Sequence, residues 1–214
     1  MGKIFLIPGL GADARIFQYI DLQGHDVVPV SWLEPEKQDT LFTYAQKLID
    51  HYQIIPGSIV IGNSLGGMLT IEIAKRVELN KAILISSIKT KSDAPKSHMW
   101  YRYLPLYKLI PSSWLPHVGF FVRIVMGKMS KHHQELFESM LKGTSPKFIK
   151  WALGAILHWD NQTIPPNVYH ITGDKDKIFP YQRIKGATII KGGTHIMIYT
   201  KAKEINNWLK DIIN

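Results

Sequence analysis

The stretch Ser58-Ile-Val-Ile-Gly-Asn-Ser-Leu-Gly-Gly-Met-Leu-Thr-Ile-Glu-Ile-Ala-Lys-Arg76 joins a short apolar run, a serine between glycines and a run of helix-forming residues. Its apolar part, residues 59–61, is β-branched and has no alternating polar residues, which is typical of a strand buried on both faces of a parallel sheet. Good helix formers follow from Met68, and the run ends on two basic residues, which suit a helix C-terminus. The stretch therefore predicts a strand, a tight turn and a helix.

Ser64 stands at the predicted turn. A nucleophilic serine needs such a turn, because the turn exposes the hydroxyl and puts a helix N-terminus behind it. The turn also strains the serine backbone and brings the residues two before and two after it so close that only small side chains fit. Gly62 and Gly66 provide that room. A Gly-x-Ser-x-Gly pattern can arise by chance, but the buried strand before it and the helix after it favour a nucleophile.

Other apolar runs extend this pattern into a sheet. Further strands are predicted at 3–7, 26–32, 82–87, 168–172 and 188–190. Pro29 puts the second of these at or near an edge, and Thr40 can begin a helix that runs to Tyr52. Up to residue 87 the predicted order is strand, helix, strand, helix, strand, helix, strand. This order favours an α/β fold, an open and mainly parallel six-stranded sheet with helices on both faces.

Residues 88–166 interrupt the strand pattern. Helical runs are predicted there at 97–110, 114–126, 131–141 and 146–157, and the segment holds eleven aromatic residues. Its part up to residue 150 carries eleven Lys and Arg residues against three acidic ones, whereas the rest of the chain is nearly neutral. The aromatic residues can form the core of an ordinary helical subdomain, or they can line a ligand pocket.

Length and composition limit the class of protein. A chain of 214 residues with 45% hydrophobic residues can bury a full core in one domain, or in one domain plus an insertion. No apolar run approaches the roughly 18 residues of a membrane span, and the N-terminal apolar stretch is too short for a signal peptide. We therefore expect a cytoplasmic protein. Without cysteine there is no disulfide, thiolate metal site or cysteine nucleophile.

The segment around Ser64 resembles the nucleophile elbow of the α/β-hydrolase family. The resemblance implies the hydrolase core at residues 1–87 and 167–214, with 88–166 as an inserted helical cap over the serine. The family's first two strands have no counterpart in this chain. It also implies chemistry that needs no metal and no organic cofactor.

The loop Pro8-Gly-Leu-Gly-Ala-Asp13 follows the first predicted strand. At this point the family has a loop similar to His-Gly-x-x, whose backbone N–H group faces the developing oxyanion. The resemblance implies Leu10 as that donor and Leu65, just after the serine, as the second. Pro8 replaces the usual histidine, so the sequence leaves open which hydrogen bonds support the loop. The loop lacks the third glycine of a dinucleotide-binding fingerprint.

A serine nucleophile needs a base, and the base needs a group that orients it. Among nine histidines, His195 follows the last predicted strand, from where it can reach the carboxyl edge of a parallel sheet. The family's Gly-x-x-Asp pattern selects Asp176 as the acid. Asp174 is the alternative, and turn hydrogen bonds are the role expected for it. The order Ser64, Asp176, His195 is also the order of the family.

These expectations lead to a serine hydrolase that cleaves a carboxylic ester or thioester through an acyl-enzyme. Two alternatives stay open: acyl transfer to an acceptor other than water, peroxide included, and a ligand-binding protein with little turnover. The expected partner is a small acyl substrate. The basic segment weakly favours an anionic one, such as a CoA thioester, or contact with an acidic membrane surface. Nucleic-acid binding is not expected, because no recognition motif accompanies the charge.

Overall fold

The computed structural model describes residues 2–95 and 129–213. Six strands form one sheet: β1 Ile4–Ile7, β2 Val27–Pro29, β3 Ile59–Asn63, β4 Lys81–Ile85, β5 Val168–Gly173 and β6 Thr188–Ile190. They lie in the order β2-β1-β3-β4-β5-β6, and every neighbouring pair is parallel. The predicted open, six-stranded parallel sheet is confirmed.

The described α-helices are α1 Leu41–Tyr52, α2 Leu65–Ala74, α3 Lys131–Gly143, α4 Pro146–His158, α5 Met197–Thr200 and α6 Ala202–Ile213. Short 3-10 helices lie at Ala14–Phe17, Lys91–Asp93 and Tyr181–Arg183. None of the helices within 2–95 and 129–213 combines the length and the hydropathy that crossing a lipid bilayer requires.

The sheet is covered on both faces, as predicted. In β1, Phe5 and Ile7 join a buried cluster with side chains of α1 and α2. Ile4 and Leu6, which alternate with them, join a second cluster with side chains of α5 and α6. Because successive strand residues point to opposite faces, an unbroken apolar strand is what a sheet between two helical layers needs.

The predicted start of α1 is confirmed. The Thr43 N–H donates to Thr40 Oγ1 over 3.2 Å, and the Thr40 N–H donates to Thr43 Oγ1 over 3.0 Å. This reciprocal pair satisfies two donors at the helix start. The helix ends where Gln53 takes a left-handed φ of 51°.

Two predictions about the first half of the chain are wrong in detail. The connection between β1 and β2 holds only a 3-10 helix, Ala14–Phe17, where an α-helix was expected. The strand predicted at 26–32 has three residues and ends at Pro29. Beyond it the chain leaves the sheet for α1, where Ser31 N–H donates to Tyr52 Oη and Leu33 N–H donates to Tyr44 Oη. Pro29 does lie on an edge strand, as expected.

Two of the four helical runs predicted in 88–166 correspond to α3 and α4, and the runs at 97–110 and 114–126 lie outside the described residues. Phe137 of α3 and Phe148 of α4 are buried in the two core clusters. At least these aromatic side chains therefore serve as core.

The strand order reverses at β1. The chain passes from β1 to β2 on one side and then to β3 on the other side. At such a switch point the loops leaving neighbouring strands diverge, and a crevice opens at their carboxyl ends. The loops that flank it are residues 8–13, here named the β1 loop, and the turn at Ser64.

Candidate active site

Ser64 joins β3 to α2 in a strained backbone conformation. Its φ of 51° and ψ of −115° are rare for a residue with a side chain, and such conformations cost about 1–3 kcal/mol. Hydrogen bonds to the segment around β4 hold it there. The Ser64 N–H donates to the Ile85 carbonyl over 3.0 Å, and Ser87 Oγ donates to the Ser64 carbonyl over 2.7 Å.

The flanking glycines have the steric role that the sequence predicts. A Cβ on Gly62 would lie 2.3 Å from the carbonyl atoms of Gly66, and one on Gly66 would lie 2.1 Å from the Ile7 carbonyl oxygen. Gly9 of the β1 loop is also close, since its Cβ would lie 3.2 Å from Ser64 Cβ. The β1 loop therefore packs directly against Ser64.

The structure brings Ser64, His195 and Asp176 together from three distant parts of the chain. His195 Nε2 lies 2.9 Å from Ser64 Oγ, and His195 Nδ1 lies 2.9 Å from Asp176 Oδ2. His195 is 3% exposed and Asp176 is 5% exposed, whereas Ser64 is half-buried. A continuous series of hydrogen bonds thus runs from a buried carboxylate to a half-buried serine.

Asp176 is held in place by the backbone and in turn orients the His195 ring. Asp176 Oδ1 accepts hydrogen bonds from the N–H groups of Ile178 and Phe179 at 2.8 and 2.9 Å. The Phe179 ring meets the His195 ring edge-on, at a centroid distance of 5.5 Å. With Asp176 Oδ2 as acceptor, His195 carries its proton on Nδ1, which leaves Nε2 free to accept the proton of the serine hydroxyl.

Asp174 has a different neighbour. Its Oδ1 accepts a hydrogen bond from the Gly192 N–H over 2.6 Å, so it ties the loop after β5 to the loop after β6. The Lys175 N–H adds a bond to the Gly193 carbonyl over 2.8 Å. Of the two candidate acids, Asp176 is the one in contact with His195. Asp174 binds the Gly192 N–H of another loop, where a hydrogen bond within its own turn was expected.

The N–H groups of Leu10 and Leu65 have the character that oxyanion donors need. Within residues 2–95 and 129–213, neither N–H donates to another protein group. Leu65 is the first residue of α2, where the free N–H groups and the helix dipole concentrate positive potential. Both groups are therefore available to an acceptor.

Other features of the described chain do not extend this site. A groove of about 1290 Å³ lies between α1, α4 and residues 159–163, but Ser64, Asp176 and His195 do not line it. Within the described ranges, no three His, Asp or Glu side chains are grouped as a metal site requires.

Sequence reasoning missed the residues that support the site. Phe179 packs on the imidazole, and Ser87 holds the elbow carbonyl. Trp32 donates from Nε1 to the Ala12 carbonyl over 2.8 Å and so contacts the β1 loop. Trp32 and Ser87 are the last residues of predicted strands, and Phe179 lies in the loop after one. That position at the carboxyl end of a strand is the one signal that could have drawn attention to them.

Comparison with known proteins gives one consistent fold. A model of the alpha/beta hydrolase family matches residues 4–208. An esterase from Exiguobacterium antarcticum has a TM-score of 0.72 and 16% identity, over 99% of this chain and 91% of that chain. An enol-lactonase from Burkholderia xenovorans LB400 has a TM-score of 0.74 and 14% identity, over 99% of this chain and 91% of that chain. A bromoperoxidase from Bacillus anthracis has a TM-score of 0.69 and 17% identity, over 100% of this chain and 92% of that chain.

At these identities the likeness to solved structures establishes the fold alone. No curated protein is a significant match to the sequence. The family model, in contrast, spans nearly the whole chain, and the parallel sheet and the turn at Ser64 agree with it. The chain belongs to the alpha/beta hydrolase family.

Proposed function

We propose that this protein is a serine hydrolase that cleaves a carboxylic ester or thioester, with Ser64 as nucleophile, His195 as base and Asp176 as the acid that orients it. One observation carries the proposal: the unbroken hydrogen-bonded chain from Asp176 through His195 to Ser64, with 2.9 Å at each step. A serine hydroxyl is a weak nucleophile unless a base removes its proton as it attacks, and this chain supplies the base.

In the proposed first half-reaction, Ser64 Oγ attacks the acyl carbonyl carbon while His195 Nε2 takes the hydroxyl proton. The carbonyl oxygen becomes an oxyanion that accepts hydrogen bonds from the Leu10 and Leu65 N–H groups. Each such donor is worth about 3–4 kcal/mol in enzymes where one has been removed. The intermediate then collapses, His195 gives its proton to the leaving oxygen or sulfur, and the acyl group stays on Ser64.

In the second half-reaction, water attacks the acyl-enzyme while His195 again accepts a proton. The acid leaves, and Ser64 regains its proton from the imidazolium. Asp176 stays ionised throughout and stabilises the positive imidazole that forms twice in each cycle. Its bonds to two backbone N–H groups keep it in place for this role.

The test is turnover of p-nitrophenyl acyl esters by Ser64→Ala and His195→Ala. We expect kcat to fall by about 10⁴-fold or more in each, with circular dichroism and thermal melting close to the parent protein. A fluorophosphonate probe should label the parent and not Ser64→Ala. His51→Ala, which removes an exposed histidine of α1, is the control and should keep full activity. Unchanged turnover in either site variant would end the proposal.

Transfer of the acyl group to peroxide is a second candidate on the same residues. The similar structure from Bacillus anthracis is a bromoperoxidase. Transfer to peroxide requires only that peroxide attacks the acyl-enzyme in place of water. Product analysis with added peroxide or alcohol distinguishes this route, because peracid or a new ester then replaces free acid. A protein that labels with the probe but gives none of these products would be a ligand-binding relative.

For the substrate we propose an acyl group covered by residues 88–166 acting as a helical cap, with 1–87 and 167–214 as the hydrolase core. The contact between α3 and the β1 loop supports this arrangement, because a Cβ on Gly11 would lie 2.8 Å from Leu141 Cδ1. The basic segment favours an anionic leaving group such as CoA. We therefore expect acyl-CoA turnover to fall with rising salt and the turnover of neutral esters to stay constant.

A further inference from the structure

The β1 loop carries the proposed oxyanion donor Leu10, and its shape is set by a tight turn. The Ala12 N–H donates to the Gly9 carbonyl over 3.1 Å, which closes the turn around Leu10 and Gly11. Gly11 has a φ of +74°, the left-handed value that a type II turn needs at its third residue. The direction of the Leu10 N–H therefore depends on where Ala12 is held.

A side chain from outside the loop holds Ala12. The Trp32 indole Nε1–H donates to the Ala12 carbonyl over 2.8 Å. Ala12 is 1% exposed, so water has little access to replace this donor. Pro8, at the start of the loop, has no side-chain donor, and Trp32 provides a hydrogen bond to the same loop.

Trp32 itself is rigidly placed. Its ring packs on Phe148 of α4 at a centroid distance of 4.5 Å with 31° between the planes. The next residue, Leu33, donates its N–H to Tyr44 Oη over 2.9 Å and accepts from the same hydroxyl over 2.7 Å. Both α1 and α4 therefore determine where the indole N–H points.

We propose that Trp32 is a positioning residue for the oxyanion hole: through the Ala12 carbonyl it fixes the turn that directs the Leu10 N–H at the reacting oxygen. This inference rests on the proposed function. It places the donor for the loop three residues beyond the end of β2, with Phe148 of α4 packed against it. The arrangement links the helix of residues 146–158 to the proposed oxyanion donor through Trp32 and the β1 loop.

The experiment compares Trp32→Phe with Trp151→Phe. Trp151 makes the same kind of bond, from Nε1 to the Asp39 carbonyl over 2.8 Å, and its ring belongs to the same aromatic cluster, 4.5 Å from Tyr44. Its bond does not reach the β1 loop. The pair therefore has matched losses of packing and of one indole hydrogen bond, and differs in the loop that loses its donor.

Two measurements are made on both variants. Amide hydrogen exchange of peptides covering the β1 loop should accelerate in Trp32→Phe and stay at the parent rate in Trp151→Phe. With p-nitrophenyl esters, kcat of Trp32→Phe should fall by about 10- to 100-fold, as expected for a displaced catalytic donor. KM should change by less than about twofold, because the donor acts on the transition state more than on the bound ester.

If Trp32→Phe does not fold, 3-benzothienylalanine at position 32 replaces the N–H by sulfur in nearly the same shape.

Equal exchange and equal kcat in the two tryptophan variants would overturn the inference, and so would faster exchange in Trp32→Phe with unchanged kcat. A parent protein without Ser64-dependent turnover would overturn the proposed function and this inference with it. Active parent protein with unaffected Trp32→Phe would overturn the inference alone.

Discussion

Asp174 and Asp176 lie two residues apart after β5, yet their carboxylates have different neighbours. Asp176 contacts His195 and two backbone N–H groups, whereas Asp174 contacts the Gly192 N–H. An acid that orients a catalytic imidazole must accept from it, and an amide in its place can present an N–H₂ group and favour the wrong tautomer.

We therefore expect Asp176→Asn to lower kcat for an acyl ester by about 10⁴-fold with little change in fold. Asp174→Asn keeps a carbonyl oxygen for the Gly192 N–H and should retain activity within about twofold of the parent. Steady-state kinetics of the two variants under the same conditions measure the difference. Equal losses in both would mean that the loop, and not the carboxylate at 176, matters.

At the scale of single residues, the sequence predicted where the candidate catalytic residues lie, but not which residues hold them in place. Ser64, Asp176 and His195 each follow a strand of one parallel sheet, so a count of strands places them at the same edge. Their catalytic roles stay predictions until the variants are measured. The position of Trp32 and Phe179 near the carboxyl ends of strands is visible in the sequence, but their contacts are not. Each contact joins two different loops, and a local pattern contains no information on which loops meet.

At the scale of elements, α2 begins earlier than its composition suggests. Helix-forming residues dominate from Met68, but the helix begins at Leu65 and includes Gly66 and Gly67. Glycine disfavours a helix interior by about 1 kcal/mol, which is why the start was expected later. Close packing explains why both positions are glycine. A Cβ on Gly66 would lie 2.1 Å from the Ile7 carbonyl oxygen, and a Cβ on Gly67 would lie 2.4 Å from Ser87 Oγ.

Gly66→Ala should consequently lower the free energy of unfolding by about 3 kcal/mol or more, because its Cβ would meet backbone oxygens at the end of β1 that cannot move away. Gly143→Ala is the matched control, since Gly143 ends α3 and a Cβ there meets nothing within 4 Å. That change should be neutral or stabilise by about 0.5–1 kcal/mol. Urea unfolding of both variants gives the comparison, and similar stability for the two would contradict the steric account of the turn.

At the scale of the whole molecule, one buried histidine connects stability to pH. His170 on β5 is 3% exposed, and within the described residues neither ring nitrogen has a hydrogen-bond partner. Burial, followed by the nearby charge of Lys89, lowers the pKa of His170 to about 3. Asp176 and the Ser87 backbone act in the opposite direction, but the Ser87 contact lacks hydrogen-bond geometry and burial dominates.

Because the pKa in the folded state lies below the unfolded value of about 6.5, the unfolded chain binds more protons between pH 6.5 and 3. The stability contributed by neutral His170 is thus complete above about pH 6.5 and is lost as the pH falls, by up to about 1.4 kcal/mol per pH unit. His170→Leu should flatten this slope, and His51→Gln should not. Urea unfolding between pH 7 and 4 measures the slopes, and an unchanged slope in His170→Leu would refute the assignment.

The fold class was predictable from the sequence, but the order of the strands in the sheet was not. Apolar runs separated by helices indicate a parallel sheet covered on both faces, and the structure has one. The order β2-β1-β3 could not be predicted from the runs themselves, because β1 and β3 are equally apolar and nothing local determines which neighbours pair. That order places the β1 loop beside the turn at Ser64, so the site depends on the least predictable feature of the fold.

The two outermost strands, β2 and β6, are three residues long, and β2 ends in a proline. An open sheet risks fusing with the sheet of a second molecule, since unpaired edge amides can recruit foreign strands. Here each border offers only a few such groups, and proline has no amide hydrogen. At high concentration, the edge strands of this protein therefore offer few backbone groups for pairing with a second molecule. We expect any self-association to use helical surfaces instead of a continuous intermolecular sheet.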